Sequence, residues 1–133
     1  MKEKNLLKNE ELIQFYSGSH EDVHAMANHL LKVQQSGLAF NAVIAADDNL
    51  ATAALKYAQM ANLKVPEELS VIGYNNSLLA TCSNPELTSI DNKLETLCQH
   101  MITNLMGVLG GNEMPKNTVF SGELIKRETT PNK

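Results

Sequence analysis

Apolar residues follow one another along this chain in two rhythms, short continuous runs and stretches spaced three and four apart, and their alternation predicts the elements. Residues 12–15, LIQF, are a β-prone run broken by Ser17, Gly18 and Ser19. Val23, Met26, Ala27, Leu30, Leu31 and Val33 then fall on one side of a helix, whose start is expected at Ser19 with Asp22 three residues on. After Ser36 and Gly37, AFNAVIA at residues 39–45 has the unbroken apolarity of a buried strand. Asp47, Asp48 and Asn49 open a second helix carrying Leu50, Ala54, Leu55, Ala58 and Met60, which Val65 and Pro66 stop. LSVIGY at residues 69–74 is a further apolar strand and ends in Asn75, Asn76 and Ser77. Past Pro85, residues 87–90 are extended. Leu94, Leu97, Met101, Ile102, Leu105 and Leu109 then make an amphipathic helix over about residues 93–110, ended by Gly110 and Gly111. A closing strand is expected at residues 118–126.

Three successive strand–helix units imply parallel strands joined by right-handed crossovers, so that the carboxyl ends of the strands share one edge. The loops at Ser17–Gly18–Ser19, Asp47–Asp48–Asn49 and Asn75–Asn76–Ser77 therefore converge, at the edge where open α/β sheets bind small ligands. The expected class is α/β, a three-layer sandwich with a mainly parallel sheet.

A length of 133 residues fits one domain, and 43% hydrophobic with 20% charged residues is ordinary for a globular chain. Aromatic residues make up 5% and tryptophan is absent, which leaves the core to aliphatic side chains and methionine. A formal net charge of -4 and a single arginine, Arg127, remove the basic face that nucleic-acid binding requires, so this chain alone is not expected to hold DNA. Cys82 and Cys98 lack metal-type spacing and are expected as free thiols in a reducing, cytoplasmic setting. No apolar run approaches the roughly 20 residues of a membrane span, and the N-terminus has no secretory pattern.

Candidate chemistry is sparse. His20, Glu21, Asp22, Val23 and His24 match HExxH, in which two histidines one turn apart hold zinc and the glutamate activates water. Against that reading, the pattern starts at the first helical turn, Asp22 is charged where an apolar residue is usual, and His29 lies off the same face. Asp47 and Asp48 are adjacent, and neighbouring helix residues point apart, so they are not expected to share a proton. No nucleophile elbow or phosphate-cradling glycine loop occurs. The expectation is a protein that is not an enzyme, with neither cofactor nor metal.

The stretch FNAVIAADDNLATAALKYAQMANLKVPEELSVIGYNNSLLATCSNPELTSIDN resembles the signature region of LacI/GalR transcription regulators, and LIKRETT resembles their closing strand. The resemblance covers about residues 12–130, and the SIDN and TNLMGVL segments look closest to maltose-operon regulators of Gram-positive bacteria. It implies a type I periplasmic-binding-protein-like second lobe plus one crossover helix at about residues 93–110 that packs on the first lobe, so that residues 1–133 are a partial effector-binding domain. The DNA-binding domain, the first lobe and its clamp arginine are expected to lie outside this chain.

The resemblance also implies a small saccharide effector held between lobes, contact with DNA only through the missing N-terminal domain, and a homodimer. Asp47 and Asn75 match two ligand-touching positions at which the family usually has Asn and Asp, an exchange that bears on which sugar fits. Ser17 and Gly18 match a loop where some members carry an aromatic platform, and Asn92 and Leu94 match positions of side contacts. Thr52, Leu55, Leu78, Leu79, Thr81 and Cys82 match the dimer face. Structural roles compete at each place: Asp47 as a helix cap stabilises by about 0.5–2 kcal/mol without any ligand, Asn75 suits a turn, and Leu94 suits a core. The competing functional readings are a periplasmic-type sugar-binding protein and, more distantly, a zinc hydrolase using His20 and His24.

Overall fold

A side chain rather than a strand break sets the first helix. In the computed structural model, which describes residues 12–19, 22–115 and 117–131, the Asp22 carboxylate accepts from the Ala25 amide at 2.9 Å and caps α1 (Val23–Gln35). The helix therefore begins at Asp22, and the start expected at Ser19 is corrected by one turn. Its end at Ser36 and Gly37 is as the sequence implies, with Gly37 at φ +94°.

β1 (Ala42–Ile44) leads into α2 (Asp48–Met60), and β2 (Ser70–Tyr74), α3 (Leu78–Cys82), β3 (Thr88–Asp91), α4 (Leu94–Leu109) and β4 (Glu123–Ile125) follow. The sheet order is β1-β2-β3-β4, with the first three strands parallel and β4 antiparallel to β3. Val43 lies opposite Val71, Ile72 opposite Thr88 and Ile90 opposite Leu124. The architecture is the α/β class with a mainly parallel sheet that the periodicity implies.

Alanines dictate how closely the layers approach. Ala51, Ala54 and Ala58 recur along one face of α2 and are buried with Ala27 of α1, Val71 of β2 and Leu87 in one cluster. Tyr57 supplies the bulk, its ring 5.6 Å from that of Phe40. α2 ends at Met60, six residues before the Pro66 stop expected for it. Asn62 adopts φ +56°, and the amides of Asn62 and Leu63 bond back to the carbonyls of Gln59 (3.2 Å) and Ala58 (2.8 Å), the two bonds of a Schellman ending.

Three predicted strands are shorter or missing. Residues 12–15 form no strand; Leu12 and Ile13 are exposed and Phe15 is 86% exposed. Strand preference acts through cross-strand neighbours, and residues 12–15 belong to no strand of the described sheet. The strand expected at residues 39–45 is reduced to Ala42–Ile44. The closing strand is Glu123–Ile125 rather than residues 118–126, because the chain after it turns to bond elsewhere.

There the amides of Glu128 and Thr129 both donate to the Glu86 carbonyl, at 3.0 and 3.2 Å, and the Val71 amide donates to the Thr129 carbonyl at 2.9 Å. The buried Thr129 hydroxyl donates to the Val71 carbonyl at 2.6 Å and accepts from the Thr88 amide at 2.9 Å. One side chain thus closes the gap between β2 and β3 where their own ladder has not yet begun. Thr129→Val keeps the shape and strands both backbone groups. It is expected to lower the unfolding free energy by about 2–3 kcal/mol in urea titration, and a loss near zero would sink this assignment.

α3 is an element the apolar pattern did not announce. No helix among the described residues is long and apolar enough to cross a membrane.

Candidate functional site

The carboxyl ends of β1, β2 and β3 share an edge because the three strands are parallel, and the polar loops that follow them meet there. Asp47, extended at φ -153°, is the cap of α2, and its Oδ1 accepts from the Leu50 amide at 2.7 Å. Asp48, the next residue, points inward and is 2% exposed. The two carboxylates diverge, as adjacent helix residues do.

Asp48 organises the edge. Its Oδ2 accepts from both the amide (2.7 Å) and the hydroxyl (2.8 Å) of Ser77, and its Oδ1 accepts from the Ser89 hydroxyl at 2.6 Å. Ser89 Oγ in turn accepts from the Asn76 amide at 3.0 Å. One buried carboxylate therefore joins the start of α2, the loop after β2, and β3. Sequence reasoning passed over Asp48. A usable signal was present, since Asp48 lies in phase with Ala51, Ala54 and Ala58, and a charge on the buried stripe of a helix requires partners.

Within the loop so held, Asn75 and Asn76 both have positive φ, +96° and +47°, a conformation asparagine tolerates better than most residues. The Asn75 amide donates to the Ile90 carbonyl at 2.9 Å, and its Oδ1 accepts from Asn92 Nδ2 at 2.9 Å. Asn75 and Asn92 are thus brought together at the ends of β2 and β3. Asn76 Oδ1 accepts from Arg127 Nη2 at 2.7 Å, while Arg127 Nη1 donates to the Leu87 carbonyl at 2.8 Å. The arginine is spent on bracing the loop from beneath.

Leu94 is the first residue of α4 and is exposed, so the core role weighed for it is not what the structure assigns. Lys93 before it sits at φ +55° and pairs with Glu123 and, at 3.8 Å, with Asp91; the hydrogen bond to Glu123 raises its pKa. Ser17 and Gly18 are exposed, and a side chain at residue 18 would run into the Tyr16 ring. A groove of about 800 Å³ runs between residues 12–16, α1 and β1 and is lined by none of the six ligand-site candidates.

Of the residues matched to a dimer face, Leu78 is 78% exposed, and Leu79, Thr81 and Cys82 are exposed beside it on α3. Thr52 and Leu55 of α2 are half-buried. His20 and Glu21 of the HExxH match lie outside the described residues, and His24 is exposed. No cluster of three or more His, Cys, Asp or Glu side chains suited to a metal occurs among the described residues.

Residues 2–130 match the family described as periplasmic binding protein-like domain. The chain is 46% identical over 121 residues to an HTH-type transcriptional regulator of Lachnoclostridium phytofermentans, covering 91% of this chain and 35% of that protein. It is 31% identical over 121 residues to the regulator MalR of Streptomyces coelicolor, covering 90% and 34%. Among solved structures it resembles the regulator CelR in complex with cellobiose, with 27% identity and a TM-score of 0.77 over 91% of this chain and 36% of that one. The Escherichia coli repressor ascG gives 28% identity and a TM-score of 0.71 over 80% and 39%. The chain spans about a third of the length of these curated relatives, which are regulators and not enzymes. It belongs to the periplasmic binding protein-like domain family and, within it, to the effector-binding domains of LacI-type transcription regulators.

Proposed function

We propose that this chain is the ligand-sensing and dimerising part of a sugar-responsive regulator, contributing one wall of a saccharide site and one face of a homodimer. The observation that carries the reading is the Asn75–Asn92 pair at the shared edge of the sheet, held in place through Asp48 and Arg127. Two side-chain amides and the Asp47 carboxylate offer both donors and acceptors, as the hydroxyls of a sugar require. The cellobiose bound to CelR supports a saccharide as the class of ligand. Ser17 and Gly18, from the segment before α1, and Leu94, at the start of α4, complete the proposed wall. The dimer face comprises Thr52, Leu55, Leu78, Leu79, Thr81 and Cys82, and exposed leucines at 78 and 79 favour burial against a second copy. In the whole regulator, differential affinity of the sugar for two arrangements of the lobes shifts the population that holds DNA.

Titration of the isotope-labelled chain with mono- and disaccharides, cellobiose and lactose included, tests the site by following the side-chain amide resonances of Asn75 and Asn92. Saturable shifts at both are expected, with affinity falling roughly tenfold in Asn75→Ala, the equivalent of about 1.4 kcal/mol. Shifts confined to other residues, or affinity unchanged in that variant, would overturn the assignment.

A further inference from the structure

Lys93 stands where intrinsic preference disfavours a lysine twice over. It is the N-cap of α4, at the positive end of the helix dipole, and its side chain makes no capping bond. Its backbone is left-handed, at φ +55° and ψ +43°, a region unfavourable to residues other than glycine and asparagine, and the turn it makes joins β3 to α4. A residue keeps such a conformation where its surroundings over-determine it.

Here the surroundings are two carboxylates. Asp91 and Glu123 lie directly opposite each other where β3 pairs with β4, so their side chains leave the sheet on the same face, and like charges at such a pair repel. Gly122 lets the two segments come this close, since a Cβ there would lie 2.8 Å from Ile90 Cγ2 and 3.1 Å from the Asp91 carbonyl oxygen. The left-handed turn brings the Lys93 ammonium back to both carboxylates. Its Nζ donates to Glu123 Oε2 and stands 3.8 Å from Asp91 Oδ2, while Asp91 Oδ1 accepts from the Lys93 amide at 2.8 Å. One cation therefore ties the end of β3 to the start of β4 and closes its own turn.

Asn92 is the residue inside that turn, between Asp91 and Lys93, and its Nδ2 donates to Asn75 Oδ1 at 2.9 Å. Asn75 has a backbone anchor of its own, its amide donating to the Ile90 carbonyl at 2.9 Å, whereas the direction of the Asn92 side chain follows from the turn. We propose that Lys93 is a positioning residue for Asn92: its ammonium, held by Asp91 and Glu123, keeps the turn that presents the Asn92 amide to Asn75. In that arrangement Asn75 accepts from Asn92 and keeps its own Nδ2 donors for a hydroxyl, so Lys93 governs what the pair shows to a sugar. This last step rests on reading the pair as part of a saccharide wall; the positioning of Asn92 does not.

Lys93→Met and Lys93→Arg both keep a long side chain on the left-handed backbone and differ in charge, so comparing them isolates the cation. In the ligand-free, isotope-labelled chain, nuclear Overhauser contacts between the side-chain amide protons of Asn92 and Asn75 are expected to persist in Lys93→Arg and to vanish in Lys93→Met. Cellobiose titration of the parent and both variants is expected to show affinity reduced roughly fivefold in Lys93→Met and restored to within about twofold in Lys93→Arg. Unchanged far-ultraviolet circular dichroism verifies that each variant folds. Contacts that survive in Lys93→Met, or that vanish in both variants, overturn the proposal, and so does unchanged cellobiose affinity in Lys93→Met. An absence of cellobiose shifts in the parent chain overturns the saccharide reading alone, because the ligand-free contacts decide the role of Lys93 by themselves.

Discussion

Replacing Asp48 by alanine is expected to lower the unfolding free energy by about 3–5 kcal/mol, a large share of the roughly 5–15 kcal/mol that holds a domain together. The Ser77 amide and the hydroxyls of Ser77 and Ser89 lose their acceptor, a carboxylate on a residue that is 2% exposed. The Asn76 amide is affected at second hand, because Ser89 Oγ, its acceptor, is then free to turn. Asp48→Asn is expected to fall between: its oxygen still accepts, yet its amide nitrogen faces groups that themselves donate. Urea unfolding followed by circular dichroism measures both. A loss below about 1 kcal/mol in Asp48→Ala would show that the three bonds add nothing net to stability.

Gly73→Ala is expected to cost about 3 kcal/mol, for a reason that involves the same carboxylate. Gly73 lies in β2 directly opposite Asp48. A Cβ there would overlap Asp48 Oδ1 and come within 2.9 Å of Leu87 Cδ2 and 3.2 Å of Ala51 Cβ. Its φ is not the issue; the close approach of helix to strand is. The double variant provides the sharper measurement. With Asp48→Ala already present, the worst overlap is gone, so the methyl of Gly73→Ala is expected to cost less by about 1–2 kcal/mol than in the parent. Strictly additive losses would mean that the two residues do not compete for one space.

The elements that pack were legible in the sequence, and those that depend on distant partners were not. α1, α2 and α4 announce themselves through apolar residues three and four apart, and β1 and β2 through unbroken apolar runs bounded by turn residues. Residues 12–15 carry the same local signal as β1, yet strand formation needs a neighbour, and no property of the four residues reveals whether one is present. Thr129 was visible only as part of a familiar ending. Its role as a bridge between Val71 and Thr88 spans 58 and 41 residues, a separation at which no periodicity operates. At the site, the loops at residues 47–49 and 75–77 meet through Asp48 and Ser77 and Asn75 meets Asn92, whereas the loop at residues 17–19 follows no strand. Asp48 was not legible as a site residue because Asp47, its half-buried neighbour, carries the same local signal as a helix cap, and only the fold shows which of the two is buried among alanines.

The position of Ser77 has a mechanical meaning. It stands two residues after Asn75 and one before Leu78, so the loop at the ligand edge and the exposed start of α3 are the two arms of a lever whose fulcrum is the Asp48 carboxylate. Because Ser77 is tied through both its amide and its hydroxyl, the loop at Asn75 and the start of α3 share one anchor on α2.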